Sequence, residues 1–282
     1  MRNVLRHLLR SPAGLIGAVI VVAFVLIALL APIIVPFDPL QLNLRGRLTP
    51  PTWSLLDRYS MGADQLGRDI LSRIVVGSRI TLAVAAIAVL VGGTIGILLG
   101  LCAGYFGGWA DRIIMRLADI QLSVPLMLFA LIVIAALGAS LPNLIAVLAL
   151  TGWTRYARVV RGEVLSLRER EFVLMARAAG ARGARILWWH ILPNVMTAAI
   201  VVATLELARV VILESALSFL GLGVQPPDAS WGRMLADGRG YIASAWWLST
   251  FPGIAIVLVV LGVNLLGDWM RDFFDPKLVG SR

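Results

Sequence analysis

The stretch IQLSVPLMLFALIVIAALGASLPNLIAVLALTGWT, Ile120 to Thr154, runs for 35 positions without a charged residue. About 20 apolar residues suffice to cross a bilayer core of about 30 Å, so this run is too long for one helix and long enough for two. Within it, GASLPN (Gly138 to Asn143) supplies the Gly, Pro and Asn that punctuate a turn. The reading is a hairpin of helices near 117–137 and 142–160.

Working outward, three more windows carry no charge: Gly14 to Val35, Ile80 to Ala110, and Tyr241 to Gly267. A further one, Asn194 to Leu222, is apolar except for Glu206, Arg209 and Glu214, which must then be buried against protein or face a cavity. Of the 282 residues, 59% are hydrophobic and 15% charged, whereas soluble domains carry roughly a quarter charged. The expectation is an all-α membrane protein with six transmembrane helices. The first lies in 1–36; the others fall near 80–106, 117–137, 142–160, 194–222 and 246–268. Arg2, Arg6 and Arg10 precede the first run as in a signal peptide, but the run exceeds the roughly 7 to 15 residues of such a core, so it reads as an uncleaved anchor.

Arginine placement orients the chain, because short loops rich in Lys and Arg stay cytoplasmic. The N-terminus, the loop with Arg112 and Arg116, the stretch 161–193, and the tail 269–282 with Arg271, Lys277 and Arg282 fall on one side, which puts both termini in the cytoplasm. One loop resists. Residues 37–77 carry Arg45, Arg47, Arg58, Arg68 and Arg73, yet helix counting puts them outside, with Asp38, Asp57, Asp64 and Asp69 as partial compensation. The alternative, five crossings with the first misread, leaves a 22-residue uncharged run with nowhere to go but lipid.

Several chemistries are excluded. The single lysine, Lys277 in DPKL, follows no glycine-rich loop, so the chain has no Walker A site for ATP. His7 and His190 are the only histidines and Cys102 the only cysteine, which leaves no zinc motif and no internal disulfide. No G-x-S-x-G elbow is present. The net charge of +9 comes from arginines scattered through loops rather than from a basic domain, so nucleic acid is not an expected partner.

The segment REREFVLMARAAGARGARILWWHILPN, Arg168 to Asn194, packs five arginines and two glutamates between apolar runs. Phe172, Met175, Ala176 and Ala179 recur at helical spacing as one small apolar face, with Arg170 and Arg177 elsewhere on the helix. Gly180 and Gly183 interrupt it, a second short piece holds Ile186, Leu187 and Trp188, and Pro193 opens the next crossing. A helix, break, helix pattern of this kind suits either a headgroup surface or a partner's groove, and its alanines favour close protein contact.

This segment resembles the EAA loop of ABC importer permeases. Ala176 and Gly180 fall at the pattern's positions and Leu192-Pro193 closes it, while Leu174 and Met175 replace its Glu and first Ala and His190 its usual isoleucine. The blocks MGADQLGRDILSRIVVGSRITL, GYFGGWADRIIMRLADIQLSVP, ALTGWTRYARVVRGEVLSLREREFV, LSFLGLGVQPPDASWG and NLLGDWMRDFFDP are similar, in order and over nearly the whole chain, to the C-type subunit of the dipeptide/oligopeptide permease family. The resemblance implies a type I ABC importer permease fold with its core in 78–268, in a bacterial inner membrane. It implies half of a translocation pore, paired with a second homologous permease subunit, two cytoplasmic ATP-binding subunits (or one fused) and an extracytoplasmic substrate-binding protein. ATP and Mg would be bound by those partners, with no cofactor in this chain.

On that resemblance the ATPase-coupling element is Glu171, Phe172, Met175, Ala176, Arg177 and Gly180, closed by Leu192 and Pro193. Glu206 and Arg209, three apart on one helical face, either pair structurally or, with Glu214, line the path. Peptides are the expected cargo; nickel complexes or glutathione are alternatives within the same machinery, and a proton-coupled secondary transporter is the reading from a different class.

Overall fold

The computed structural model describes residues 7–54 and 57–274. Arg2 and Arg6 at one end and Lys277 and Arg282 at the other, used above for orientation, lie outside these residues. Among the described residues the regular structure is helical, with one isolated bridge between Ala63 and Asp69.

Helix α1 spans Pro12–Ile34, with Ser11 accepting a hydrogen bond from the Gly14 N–H and Pro12 in the first turn, where its missing N–H costs nothing. Helix α2, Ile70–Phe106, starts at Asp69, whose carboxylate accepts the Ser72 N–H at 2.8 Å, and stops at Gly107 with φ +64°. Its 37 residues make a rod about 55 Å long, well beyond a bilayer core.

Next come α3 (Gly108–Ser123), α4 (Leu126–Leu137) and α5 (Leu141–Leu167). The turn expected at Gly138 to Asn143 forms: Gly138 takes φ +87°, Asn143 Nδ2 donates to the carbonyls of Leu137 and Gly138, and Ser140 caps α5. The single helix expected near 117–137 does not form. Pro125 pushes Val124 into the extended region, and the axis turns by 92° between α3 and α4.

Beyond α5 the chain forms α6 (Glu171–Ala178) and α7 (Gly183–Ile186), and passes through a π-turn, Leu187–Ile191, into α8 (Leu192–Phe219). The π-turn sits just before Pro193, which cannot donate to the carbonyl one turn back. Helix α9 (Trp231–Gly238) and α10 (Trp247–Phe274) complete the fold.

Among the described residues four helices are long and apolar enough to cross a membrane: α1, α2, the continuous stretch Gly183–Phe219, and α10; the bent pair α3 and α4 makes a fifth if it counts as one span. The sixth expected crossing, 142–160, lies inside α5, whose second half carries Arg155, Arg158, Arg161 and Glu163. Because α5 runs on to Leu167, the non-spanning connection expected over 161–193 contracts at its start.

The tightest packing is between α2 and α5. Gly92, Gly96, Gly100 and Gly104 form a row at four-residue spacing, and a Cβ on Gly92 or Gly100 would sit 2.6 Å from the Ala149 carbonyl or 2.7 Å from that of Ala157. In lipid, where apolar side chains gain little by leaving the tails, such backbone approach is what binds helices. Helix α1 docks on α10 in the same manner, Gly17 against Gly262.

The rod of α2 separates two ends. At its start, buried Trp231 of α9 donates to the Ile74 carbonyl of α2 itself at 3.0 Å, and Trp247 at the start of α10 donates to the Ala63 carbonyl of the segment ahead of α2 at 3.1 Å. At its other end Tyr105 lies against Gly183.

Candidate coupling element and translocation face

Helix α6 is eight residues long, too short to hold alone in water. Three features fix it. Glu171 in the first turn and Arg177 in the last match the helix dipole. Gly180, at φ +81°, closes the C-terminus: its N–H donates to the Arg177 carbonyl at 3.0 Å and the Ala181 N–H reaches back to Ala176 at 3.0 Å. No atom lies near where a Gly180 Cβ would be, so glycine is required there by backbone conformation rather than by space. The inward side carries buried Val173 and half-buried Ala176, which pack with Leu101 of α2, Val160 and Val164 of α5, and Ile186, Leu187 and Ile191 ahead of α8.

The outward side is apolar too. Phe172 is 40% and Met175 70% exposed, and Ala179 and Leu174 are exposed beside them. Of the four residues expected on one face, Phe172, Met175 and Ala179 point outward together while Ala176 turns toward the core. Val173 was not singled out from sequence, though its position three before Ala176 is the signal that places it inside. Leu192 is half buried and Pro193 exposed at the start of α8, and Arg168 donates to the Gly104 carbonyl at the end of α2 at 3.3 Å.

Glu206 is 2% exposed at the midpoint of α8, about 20 Å of helical rise from either end. Arg209 lies 3.4 Å from it, as the three-residue spacing allows, but the nearer cation is Arg155 of α5, whose Nη1 donates at 2.9 Å. Sequence reasoning missed Arg155, since a partner 51 positions away leaves no periodic trace; the signal on hand was that Arg155 ends the uncharged run that opens at Ile120. One turn further along α5, Arg158 pairs with Asp119 of α3, and Arg161 grips Asp111 of α3, with Nη2 2.6 Å from Oδ2. Gln121 joins the same contact, accepting from Trp153 Nε1 at 2.7 Å.

Arg155, Arg158 and Asp119 are each about half exposed. Charged groups at this depth are too costly to leave in hydrocarbon, so this side of α5 faces water or another protein.

Glu214, grouped with Glu206 and Arg209 from sequence, sits apart from them. It is fully enclosed, accepting from the Ser218 hydroxyl at 2.7 Å and from the Ser215 hydroxyl at 3.4 Å. Ser218 in turn accepts the Val224 N–H at 3.1 Å, and Ser230 caps α9. In this structure Glu214 has no open side toward a path; its hydroxyl partners tie the segment after α8 to the bundle.

At the start of α2, Asp64 is paired with both Arg68 (2.6 Å) and Arg73, and Asp237 of α9 lies 3.4 Å from Arg73 and 3.2 Å from Arg233. Arg68 is 8% and Arg73 3% exposed. Arg58 donates to Gln41 at 2.9 Å and lies over the Tyr59 ring. Three of the five arginines that made this loop look cytoplasmic are therefore internal contacts rather than free charge. Beside them, burial raises the pKa of Asp69, against the hydrogen bonds from Ser72 that lower it.

Comparison with known proteins agrees with this architecture. Residues 96–280 match the family of binding-protein-dependent transport system inner membrane components, and residues 1–51 match the N-terminal transmembrane domain of oligopeptide transport permease C. The chain is 42% identical over 277 residues to the dipeptide transport system permease protein DppC of Alkalihalophilus pseudofirmus, covering 98% of this chain and 90% of that one. It is 40% identical to the glutathione transport system permease protein GsiD of Pectobacterium atrosepticum, covering 98% and 91%. Its fold is that of a chain in an inward-facing structure of the MetNI methionine ABC transporter, with a TM-score of 0.57 at 21% identity over 72% of this chain and 97% of that one.

Proposed function

The chain belongs to the binding-protein-dependent transport system inner membrane components, and on that premise we propose that it is the C-type permease subunit of an ATP-driven importer of peptides. It is a multi-pass protein of the inner membrane and contributes half of the translocation pore. The other half is a second related permease; two cytoplasmic ATP-binding subunits, or one fused, hold ATP and Mg, and an extracytoplasmic binding protein delivers cargo. This chain itself catalyses nothing.

Helix α6 carries the reading. Its inner side belongs to one apolar cluster with residues of α2, α5 and α8, while Phe172, Met175 and Ala179 on its outer side are left for a partner. A helix docked this way transmits displacement to three membrane helices as one body, the rigid link that coupling to nucleotide-driven motion needs. Glu171, Arg177 and Gly180 keep it helical and closed; Leu192 and Pro193 start the helix it drives. Glu206 and Arg209 belong to the path, and Glu214 to its outer frame.

In this arrangement both termini and residues 168–182 lie in the cytoplasm, where exposed Arg112, Arg116, Arg170, Arg177 and Arg182 satisfy the positive-inside rule. Residues 37–69 lie outside. The core of the transporter is 78–268.

The test is ATP-dependent uptake of peptides into vesicles containing the whole complex, with Met175→Arg as the variant. Met175 is outward, so its replacement should leave the chain folded and inserted while reducing uptake and peptide-stimulated ATP hydrolysis at least tenfold. Unaltered uptake would remove α6 from the coupling path; uptake that follows a proton gradient without ATP would favour the secondary-transporter reading instead. Glutathione, carried by one relative's system, competes in the same assay as alternative cargo.

A further inference from the structure

Two arginines share one buried carboxylate in the middle of the bundle. Arg155 and Arg209 both bind Glu206, and Arg158 and Asp119 cancel each other one turn away. The group is therefore short of one negative charge. Glu206 is 2% exposed, whereas the Arg155 side chain is 49% and that of Arg209 24% exposed, so the unbalanced charge is presented on the more open side. A guanidinium has five N–H donors in a planar fork, and Arg155 uses one of them, Nη1, on Glu206. The unused donors suit an oxyanion with two parallel oxygens.

Three other features make this a built site rather than a stray pair. Glu206 is held from two helices, so Arg155 is fixed in direction across the α5–α8 contact. The neighbouring hydroxyls of Thr154 and Tyr156 are buried with no hydrogen-bond partner, that of Tyr156 against Gly93 of α2, so this turn of α5 carries polar groups inside an apolar bundle. The adjoining pair Arg158–Asp119, about half exposed, continues the same charged side of α5, so a charged ligand at the site meets polar groups rather than hydrocarbon.

Resting on the reading of the chain as a peptide permease, we infer that Arg155, positioned by Glu206 and supported by Arg209, is a carboxylate-binding station on the translocation face, taking the terminal carboxylate of a peptide in transit. Glu206 is a positioning residue: it orients the fork and, being buried, does not touch the ligand. One station with a single unbalanced charge binds weakly, as transport requires, because a group that must let go cannot hold its cargo with several such pairs.

The experiment separates this inference from the importer reading. The complex of this chain, the second permease and the ATP-binding subunits, without binding protein, is placed in lipid nanodiscs and probed by saturation-transfer NMR with trialanine and with trialanine amide. Wild type should bind the free acid about tenfold better than the amide, the worth of one charge-assisted hydrogen bond. In Arg155→Gln the preference should vanish, and Arg155→Lys should restore part of it. Arg155→Gln/Glu206→Gln, which removes the pair together and leaves no orphaned buried carboxylate, should behave like Arg155→Gln while the complex co-purifies intact. Equal binding of acid and amide by wild type, binding of neither, an unchanged preference in Arg155→Gln, or loss of the second permease from the Arg155→Gln complex would each overturn the station. None of these touches the importer reading, which stands or falls on ATP-dependent uptake by vesicles supplied with binding protein.

Discussion

At the end of the bundle where residues 35–69 meet α9, Arg68 and Arg73 are buried against Asp64 and Asp237; at the opposite end Arg177, Arg182 and Arg185 stand exposed with no carboxylate partner among the described residues. The same residue type serves two purposes. Buried, it fixes one segment to another, and removing one partner strands a charge where water cannot reach. Exposed beside a membrane, it contributes nothing to packing and sets orientation by its charge alone. An arginine count therefore reports the side of the membrane only after the internal pairs are subtracted.

The contrast breaks most sharply at Asp64. Asp64→Ala leaves Arg68 and Arg73 sharing only Asp237, and should destabilise the protein by about 3–5 kcal/mol, read as a lower thermal midpoint of the purified complex and faster proteolysis within 37–69. An unchanged midpoint would mean that the segment 37–69 is held by neutral contacts such as Trp247 to Ala63 and Phe37 to Ser72 rather than by its ion pairs.

A smaller effect follows at Ser218, which bridges Glu214 and the Val224 N–H. Ser218→Ala should cost about 1–3 kcal/mol through the groups it leaves unsatisfied. Amide exchange at Val224 and Trp231 should accelerate while Ala181 at the other end keeps its protection; acceleration at both ends would mean the two ends unfold together.

At the exposed end the expected change is smallest. Arg185→Gln should shift stability by no more than about 0.5 kcal/mol, as surface substitutions do. A clear drop in the thermal midpoint of the assembled complex would show that the arginines there are paired by a partner.

Much of this was legible in advance. Uncharged runs of bilayer length gave the class, and the Gly138 turn, the helix from Glu171 and the break at Gly180 were written in local punctuation, which acts on neighbouring residues and so survives in the sequence. The bend at Pro125 was legible too, since a proline restricts the residue before it, but the long apolar run around it argued for continuity. What the sequence hid is what distant parts do to each other. Nothing near Glu206 names Arg155, and nothing near Arg73 names Asp237. The glycine row on α2 has its meaning only once α5 lies against it. Helical spacing foretold the Glu206–Arg209 contact and, for the same reason, missed the shorter one across to α5.

Helix α2 has one more consequence. It is gripped at its start by the Asp64 and Asp237 carboxylates and touches Gly183 near its other end, with α5 locked along its flank. A stiff beam about 55 Å long that pivots by about 5° near its middle swings each tip by about 2 Å, in opposite directions. A small tilt imposed at the Gly183 end thus reappears undiminished and reversed at the Asp64 end, so the two ends of the bundle are geared to each other through one helix.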